Sequence, residues 1–202
     1  SRDLSQLLSG VFVFYYTSTS ISTGANAIIQ NKALLVNLQF PRLSMPITAV
    51  IETGIGFLVS IPAFYLIVGV VDGIWPGRWF IVLFPIAFVL QTAFNLGLAS
   101  LTARVAVPFR DVSNLIPHLT RIWLYLSPIL FTVDQYDKLP ETAQVIVQLN
   151  PMVPLLSVYR TALLGTPFEM SALVQSTIWG LGLAVVAVTV FVRYEGKMAR
   201  YL

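Results

Sequence analysis

Five continuous apolar runs constrain this sequence more than any other feature. They fall at about residues 7–29, 47–71, 79–103, 113–133 and 171–192. Each is about 20 residues long, which is the length that a helix needs to cross a hydrocarbon core roughly 30 Å thick. Strands of a membrane barrel would instead show alternating segments of about ten residues. We therefore predict an all-α polytopic membrane protein that forms a single transmembrane domain over residues 1–202.

The composition agrees with this fold class. Hydrophobic residues make up 56% of the chain and charged residues only 10%, against about 25% charged in an ordinary soluble domain. The mean hydropathy is +0.80. The twelve Lys and Arg residues are scattered between the apolar runs, so they do not form the basic patch that a nucleic-acid partner would need. Cysteine is absent, which excludes disulfides and thiolate metal sites.

The positions of Lys and Arg predict the topology, because short cytoplasmic loops carry an excess of these residues. If Ser1 lies outside, seven of them lie inside and four outside, with Arg121 left within a run. The inside set is Lys32, Arg42, Arg104, Arg110, Arg193, Lys197 and Arg200, and the outside set is Arg2, Arg78, Lys138 and Arg160. This orientation places the C-terminus in the cytoplasm. Because the sequence shows no signal peptide, we expect at least one further span before Ser1.

A short segment with polar edges, residues 31–46, separates the first two runs. It contains Phe40, Pro41 and Arg42, followed by Pro46. Proline is tolerated in the first turn of a helix but not in its interior, so these residues indicate a helix break followed by a helix start. The charge count places the segment in the cytoplasm, and we expect it to receive force from a partner.

Residues 134–170 hold two apolar stretches, 141–149 and 152–164, which Asn150 and Pro151 separate. Each stretch is far shorter than the roughly 20 residues that a membrane crossing requires. Short apolar helices between spans are typical of re-entrant segments, whose backbone groups are satisfied by burial in protein. We predict that they enter the membrane from the outer side and return to it.

Polar residues inside the runs allow more than one interpretation. The hydroxyl-rich residues 17–23 suit either a helix-packing face or a pore-lining face. Gln91 and Asn95 lie four residues apart on one helix face, which indicates a buried, hydrogen-bonded side. Glu52 is expected to face the bundle interior or to reach the membrane interface. Arg121 is expected to extend toward the interface or to pair with Glu52.

The chain lacks the motifs of common catalytic and nucleotide sites. It has no Gly-x-x-x-x-Gly-Lys-Ser/Thr loop, no nucleophile elbow and no His-Glu-x-x-His pair. His118 is the only histidine and has no second ligand at helical spacing, so we predict no metal site. Arg110 and Asp111 precede the fourth run, where they suit a capping and anchoring role. We predict no catalytic residue, so the energy for any transport must come from elsewhere.

Four motifs occur in a fixed order along the chain. They are Phe40-Pro41-Arg42 within residues 35–46, Phe109-Arg110-Asp111, Ser127-Pro128-Ile129-Leu130-Phe131, and Leu149-Asn150-Pro151-Met152 followed by Tyr159-Arg160 and Leu163-Leu164. In this order and spacing they resemble the membrane subunit of the type 2 ATP-binding-cassette exporters of polysaccharides, the O-antigen, capsule, teichoic acid and galactan permeases of bacteria. The resemblance covers essentially the whole chain. The family commonly has tyrosine where this chain has Phe109.

The resemblance implies further properties of the fold and its partners. The family permease has six spans and an amphipathic cytoplasmic helix before the first, so this sequence would lack that helix and the first span. It lies among the lipids of the bacterial inner membrane and works as a homodimer with two copies of a separate ATPase subunit. ATP and Mg would bind to that subunit, so this chain would carry no cofactor and would not be an enzyme.

The resemblance also assigns roles to residues. The residues that couple the permease to the ATPase would include Leu35, Phe40, Pro41 and Arg42, and a cytoplasmic turn would contain Arg110 and Asp111. The outer gate would comprise Asn150, Pro151, Tyr159 and Arg160. Aromatic side chains line the channel in carbohydrate exporters, because sugar rings stack on aromatic faces. The candidates here are Phe12, Phe14, Tyr15, Tyr16, Trp123 and Tyr125.

Together these features predict a channel-forming permease subunit that moves a lipid-linked polysaccharide across the inner membrane. Two alternatives remain open. One is a drug or lipid exporter of the same fold, since aromatic enrichment also occurs in ordinary membrane belts. The other is a membrane-embedded transferase that acts on polyprenyl-linked sugars.

Overall fold

The structure is a computed structural model that describes residues 2–31, 41–109, 111–127, 129, 147 and 149–198. The helices, in chain order, are α1 (Arg2–Gln30), α2 (Ser44–Asp72), α3 (Arg78–Ala106), α4 (Asp111–Leu126), α5 (Met152–Leu164) and α6 (Met170–Met198). The described residues form helices joined by short turns, and no strand occurs among them. The predicted all-α fold class is therefore confirmed.

Within the described ranges, three helices are long and apolar enough to cross a membrane, namely α2, α3 and the Met170–Arg193 part of α6. The first predicted run forms α1, which has the same length of 29 residues as α2 but is more polar because of its run of Ser and Thr. The fourth predicted run, residues 113–133, is described as a helix as far as Leu126. The chain is thus a helical membrane protein with long apolar helices and shorter ones between them.

Parts of the predicted segments lie outside the described residues. These parts are residues 32–40, which include Leu35 and Phe40, then Arg110, residue 128, and most of residues 130–148. The described part of the 31–46 segment starts again at Pro41, whose carbonyl oxygen accepts a bond from the backbone N–H of Ser44 at 3.0 Å.

The short turns and one hydrogen bond establish the directions of the helices. Ser5, near the start of α1, donates to the carboxylate of Asp72, the last residue of α2, so α1 and α2 are antiparallel. Residues 73–77 then lead directly into α3, which therefore begins at the same end of the bundle. The start of α4 lies at the opposite end, just beyond the end of α3. We call these ends the Asp72 end and the Asp111 end.

The centre of the bundle is a layer of aromatic rings. Tyr16 stacks on Phe57 with ring centroids 5.1 Å apart, and Phe57 stacks on Phe88 at 6.2 Å. Tyr159 of α5 meets Phe57 edge-on at 5.9 Å. Stacked and edge-on rings are favourable beyond the apolar area that they bury, so this layer holds α1, α2, α3 and α5 together.

The long helices approach closely where one of them carries glycine. A Cβ atom on Gly24 of α1 would lie 2.5 Å from the Cβ atom of Ala99 in α3. A Cβ atom on Gly180 of α6 would lie 2.7 Å from the carbonyl oxygen of Leu90 in α3. Small residues permit such close backbone approach in membrane bundles. As a result α3 lies at the centre, with α1 and α6 packed tightly against it.

The short helix α5 spans only part of the bundle height. Next to its first turn, Asn150 Oδ1 accepts a hydrogen bond from the indole nitrogen of Trp123 at 3.1 Å, and the Trp123 ring packs edge-on against Phe14 in the middle of α1. At its other end the carbonyl of Leu163 accepts a bond from the Tyr65 hydroxyl at 3.2 Å, two turns before α2 ends. The helix thus runs from the middle of the bundle toward the Asp72 end, and its re-entry into the membrane stays a prediction.

Candidate functional site: the groove between α1 and α4

The hydroxyl-rich run of α1 has two sides with different surroundings. Thr17 and Ser20 are fully buried, and Thr17 accepts a hydrogen bond from Gln91 of α3 at 2.9 Å. Ser18 and Ser22, four residues apart and therefore on one side of the helix, line a groove against α4. One side of the run therefore packs inside the bundle, and the other side is open.

The polar side of α3 that the sequence predicts is confirmed. Gln91 and Asn95 have no exposed surface. Gln91 donates to the carbonyl of Val13 at 2.8 Å, and Asn95 donates to the hydroxyl of Ser20 at 3.3 Å. These bonds fix the rotation of α1 about its own axis, because they hold one of its sides against α3.

The opposite side of α1 forms a continuous stripe with spacings of three and four residues. Its members, which we call the open stripe, are Leu4, Leu7, Val11, Tyr15, Ser18, Ser22 and Asn26. Tyr15 has 71% of its surface exposed. The stripe is apolar toward the Asp72 end and polar from Tyr15 toward the Asp111 end, so its chemistry changes near the middle of the bundle.

A groove of about 270 Å³ lies between the open stripe and α4. The residues that line it are Val11, Phe14, Tyr15, Ser18, Ser22, Pro117, Thr120, Arg121 and Leu124. The α1–α4 groove, as we call it, therefore combines one cation, several hydroxyls and two aromatic side chains. None of the described residues that line it is a carboxylate.

Arg121 lies near the middle of the bundle height. It is ten residues into α4 from Asp111, which corresponds to about 15 Å along the helix axis. Ser18, across the groove, is 12 residues from the last residue of α1, or about 18 Å of a helix about 43 Å long. Arg121 is exposed. Because ionised side chains within the membrane face the bundle interior or a water-filled cavity, Arg121 indicates that this groove is wet.

The ion pair between Arg121 and Glu52 that the sequence suggests is wrong. Glu52 is exposed on α2, and Tyr15 of α1 lines both the α1–α4 groove and a hollow on the α2 side. The helix α1 therefore separates the two charges. Within the described part of the chain no salt bridge satisfies the Arg121 guanidinium.

A second hollow lies on the other side of Tyr15, between α1 and α2. It has a volume of about 400 Å³, and its wall includes Phe12, Tyr16 and Phe57. Two hydroxyls in this wall bond to carbonyls of their own helices, Ser60 to Phe57 at 2.6 Å and Thr19 to Tyr15 at 2.8 Å, while the Tyr16 hydroxyl lies 3.0 Å from Thr92 Oγ1 of α3. This hollow is therefore mainly apolar, in contrast to the α1–α4 groove.

The six aromatic residues assigned to the channel have different positions. Tyr15 and Tyr125 are 71% and 60% exposed, whereas Phe14 and Tyr16 are 3% and 1% exposed and contribute only edges to the two hollows. Phe12 and Trp123 are partly buried. Tyr15 and Tyr125 are thus the two most accessible to a cargo in a single protomer. The channel role of all six stays a prediction.

The four residues assigned to the outer gate lie on or beside α5. Asn150 accepts a bond from the backbone N–H of Met152 at 3.0 Å and donates to the Ser127 hydroxyl at 2.8 Å, so it caps the buried start of the helix. Pro151 follows it, in agreement with the preference for proline at a helix start. Tyr159 has no exposed surface, and Arg160 is partly buried. Their gating role is untested.

The described residues of the coupling segment and cytoplasmic turn lie at the Asp111 end. Pro41 and Arg42 precede α2, and Asp111 is the exposed first residue of α4. A carboxylate is favourable there, because the helix dipole is positive at its N-terminus. Leu35, Phe40 and Arg110 lie outside the described residues, and the coupling role of the segment stays a prediction.

Sequence reasoning did not find the groove itself. The separation of Ser18 and Ser22 from Thr17 and Ser20 follows from helical periodicity once one side of α1 is known to be buried. The approach of Arg121 to that open side depends on how α4 packs against α1, and no local sequence pattern predicts this packing.

Comparison with known proteins identifies relatives of this chain. An O-antigen export system permease protein RfbA from Myxococcus xanthus is 32% identical over 152 residues, which are 75% of this chain and 57% of that protein. Two proteins of the same name from Klebsiella pneumoniae are 22% and 23% identical over 196 residues, which are 97% of this chain and 74% of each of them. No protein-family model matches the chain. The resemblance to polysaccharide-export permeases is thereby confirmed, and this chain is a homologue of the O-antigen export permeases.

Proposed function

We propose that this chain is the permease subunit of an ATP-driven exporter that moves a lipid-linked polysaccharide across the bacterial inner membrane. In this proposal the α1–α4 groove is the share of the conduit that one protomer contributes. The observation that carries it is Arg121, an exposed cation halfway along the bundle that lines one groove with Ser18 and Ser22. A conduit for a hydrophilic glycan has to be wet at this depth, and a charged residue within a membrane marks such a place.

The relatives and two tyrosines support a polysaccharide cargo. All three relatives are named as permeases of O-antigen export systems, and O-antigen is a polysaccharide. Tyr15 and Tyr125 present most of their surface outward, and both lie on helices that border the groove. Aromatic faces of this kind bind sugar rings without a charged ligand.

The proposal includes partners that this chain does not contain. A second copy would close the open groove, and two ATPase subunits would bind ATP and Mg and push residues 31–46. The chain itself then needs no cofactor and performs no catalysis. The Asp111 end and the C-terminus would face the cytoplasm, and lipids would surround the exposed apolar faces, such as those with Val70 and Ile81, which are 78% and 77% exposed.

ATP-dependent export tests this proposal. The permease and the ATPase encoded beside it would be expressed in a strain that assembles the glycan but lacks its own exporter, and surface glycan would be measured. We expect export with the intact pair and none when the ATPase carries a Walker lysine substitution. Glycosyl transfer by the purified chain without an ATPase would contradict the proposal and favour a transferase.

The α1–α2 hollow favours a second candidate, an exporter of drugs or lipids. Its wall is mainly apolar and its volume is about 400 Å³, within the range of about 300–1,000 Å³ that is usual for pockets of drug-sized ligands. Stimulation of ATP hydrolysis distinguishes the two. A lipid-linked glycan should stimulate the complex under the first proposal, and an apolar small molecule alone should do so under the second.

A further inference from the structure

We propose that Arg121, with Ser18 and Ser22, forms a phosphate-binding site halfway along the α1–α4 groove. This inference rests on the proposed function, because it names the chemical group of the cargo that the groove recognises. Its ligand class is a phosphate ester or diphosphate carried by a lipid. Such a group joins a lipid carrier to the glycan that it bears, and it would enter the groove together with the cargo.

The first reason is the charge of the groove. Arg121 is the one charged residue among those that line it. On the same helix, Asp111 is ten residues away, or about 15 Å along the axis, and Glu52 lies on the other side of α1. His118 is exposed one turn before Arg121, and its Nδ1 lies 3.2 Å from the carbonyl oxygen of Asn114. Among the described residues, the lining of the groove thus carries one positive charge and no negative charge, which favours an anion.

The second reason is the supply of free hydroxyls. Several other hydroxyls of α1 are bonded within the bundle, as Thr19 is to the carbonyl of Tyr15 at 2.8 Å and Ser20 is to Thr53 at 2.8 Å. Ser18 and Ser22 have no hydrogen-bond partner for their hydroxyls within the described residues, and both line the groove with Arg121. The two hydroxyls lie on one wall of the groove and the guanidinium lies on the other. All three can donate hydrogen bonds to the oxygens of one phosphate group.

The third reason is the choice of cation and the size of the groove. An arginine guanidinium matches phosphate geometry with two parallel N–H donors and stays charged in a membrane, which lysine does less well. The volume of about 270 Å³ is below the roughly 300–1,000 Å³ of pockets for drug-sized ligands. The groove of a single protomer is therefore of the size of one headgroup-sized anion.

Binding of short lipid phosphates to the purified full-length chain tests the site. The probes are a short-chain prenyl diphosphate, the matching uncharged prenol, phosphatidylglycerol and inorganic diphosphate, each titrated in detergent by calorimetry. The variants are Arg121→Gln, Arg121→Lys and the Ser18→Ala/Ser22→Ala pair. Arg78→Gln is the matched control, because Arg78 is exposed and lies at the Asp72 end, outside the groove.

We expect the prenyl diphosphate to bind the wild-type chain and the prenol to bind at least tenfold more weakly. Loss of hydrogen bonds to a charged group is worth about 1.5–3 kcal/mol, so Arg121→Gln should weaken diphosphate binding by about 10- to 100-fold. Arg121→Lys should retain part of the affinity, and Arg78→Gln should retain all of it. Equal binding of prenol and diphosphate, or unchanged diphosphate binding in Arg121→Gln, would overturn the proposal.

Competition between the probes distinguishes a carrier-lipid diphosphate from a phospholipid headgroup or a free diphosphate as the ligand. Displacement of the diphosphate by phosphatidylglycerol, with the same dependence on Arg121, identifies a phospholipid headgroup as a ligand of the site. Displacement by inorganic diphosphate alone shows that the lipid chain adds nothing. If Arg121-dependent binding holds but the export strain shows no surface glycan, the proposed function fails and the site stands. If export occurs and binding does not depend on Arg121, only the site fails.

Discussion

Single residues decide how closely the long helices of this bundle approach. Gly24 and Gly182 are both interior residues of 29-residue helices, but a Cβ atom on Gly24 would meet Ala99 at 2.5 Å, whereas one on Gly182 would meet nothing within 4 Å. The two positions therefore form a matched pair in which only the packing differs.

Gly24→Ala should lower the thermal stability of the purified chain, and Gly182→Ala should leave it unchanged or raise it. Overpacking in a tight interface costs about 1–3 kcal/mol, while alanine in place of an unconstrained helical glycine gains up to about 1 kcal/mol in helix propensity. Thermal unfolding in one detergent, followed by intrinsic fluorescence, measures both variants. A Gly24→Ala variant as stable as Gly182→Ala would show that α1 and α3 are not in close contact.

At the scale of residues, the sequence predicted which side of a helix is buried, because helical periodicity determines that. It predicted few contacts between helices, because those depend on tertiary packing. The spacing of Gln91 and Asn95 was enough to predict a buried polar side. Arg121 was visible as a charge within an apolar run, but its expected pair with Glu52 was wrong, because which helices flank α1 depends on packing. The link between Ser5 and Asp72 joins residues 67 positions apart and has no local signal.

Among the elements, α4 has an outer side that a single protomer leaves uncovered. Leu115, Leu119, Ile122 and Leu126 are 55%, 59%, 56% and 59% exposed, and their spacings of four, three and four residues place them in one stripe. A stripe with this spacing is suited to packing against another helix. This stripe lies on the side of α4 opposite to Pro117, Thr120, Arg121 and Leu124, which line the α1–α4 groove, and we expect a second copy to pack against it.

Oxidative cross-linking can test this contact cleanly, because the chain contains no cysteine. We expect Ile122→Cys to form disulfide-linked dimers in membranes. A disulfide requires Cα atoms about 4.4–6.8 Å apart, so such dimers would show that α4 of one copy lies against α4 of the other. Val70→Cys on α2 is the control, because Val70 is 78% exposed and lies away from α4. Leu119→Cys is a second position on the same stripe. Dimers formed by both Ile122→Cys and Val70→Cys, or by neither Ile122→Cys nor Leu119→Cys, would show that the two copies contact each other elsewhere.

Element prediction succeeded where length and apolarity decide the outcome. The second, third and fifth apolar runs became α2, α3 and α6 with boundaries close to those expected. The stretch 152–164 was predicted as a short helix, and α5 has those bounds. Its depth was harder to foresee, because it depends on the capping contacts of Asn150 with Trp123 and Ser127, which are distant in sequence.

For the whole molecule, the described ends of the predicted coupling segment, Asn31 and residues 41–46, lie at the end opposite to Asp72. If an ATPase pushes residues 31–46, then Phe40→Ala and Arg42→Ala should reduce export several-fold while ATP hydrolysis by the complex continues. The physical reason is that Arg42 precedes α2 and Phe40 lies between the apolar runs of the sequence, so both substitutions leave the membrane-crossing helices themselves unchanged. Export and hydrolysis would be measured on the same membranes.

Arg78→Ala at the Asp72 end is the control for this experiment and should change neither quantity. Unchanged export in both segment variants would remove the coupling role. A parallel fall in hydrolysis and in the amount of assembled complex would indicate that the segment holds the subunits together rather than transmitting force.

The open stripe is apolar in one half and polar in the other, and this difference affects whether ions leak across the membrane. Leu4, Leu7 and Val11 line the Asp72 end of the stripe, and the polar residues begin only at Tyr15. Narrow hydrophobic stretches shed water and so block ions without a physical plug. Two copies that face each other across such a stripe would be dry in that half between transport cycles. A permease built this way would keep a path for a long glycan between transport cycles. Because the apolar half is dry, protons would not leak through that path, and the proton gradient would persist.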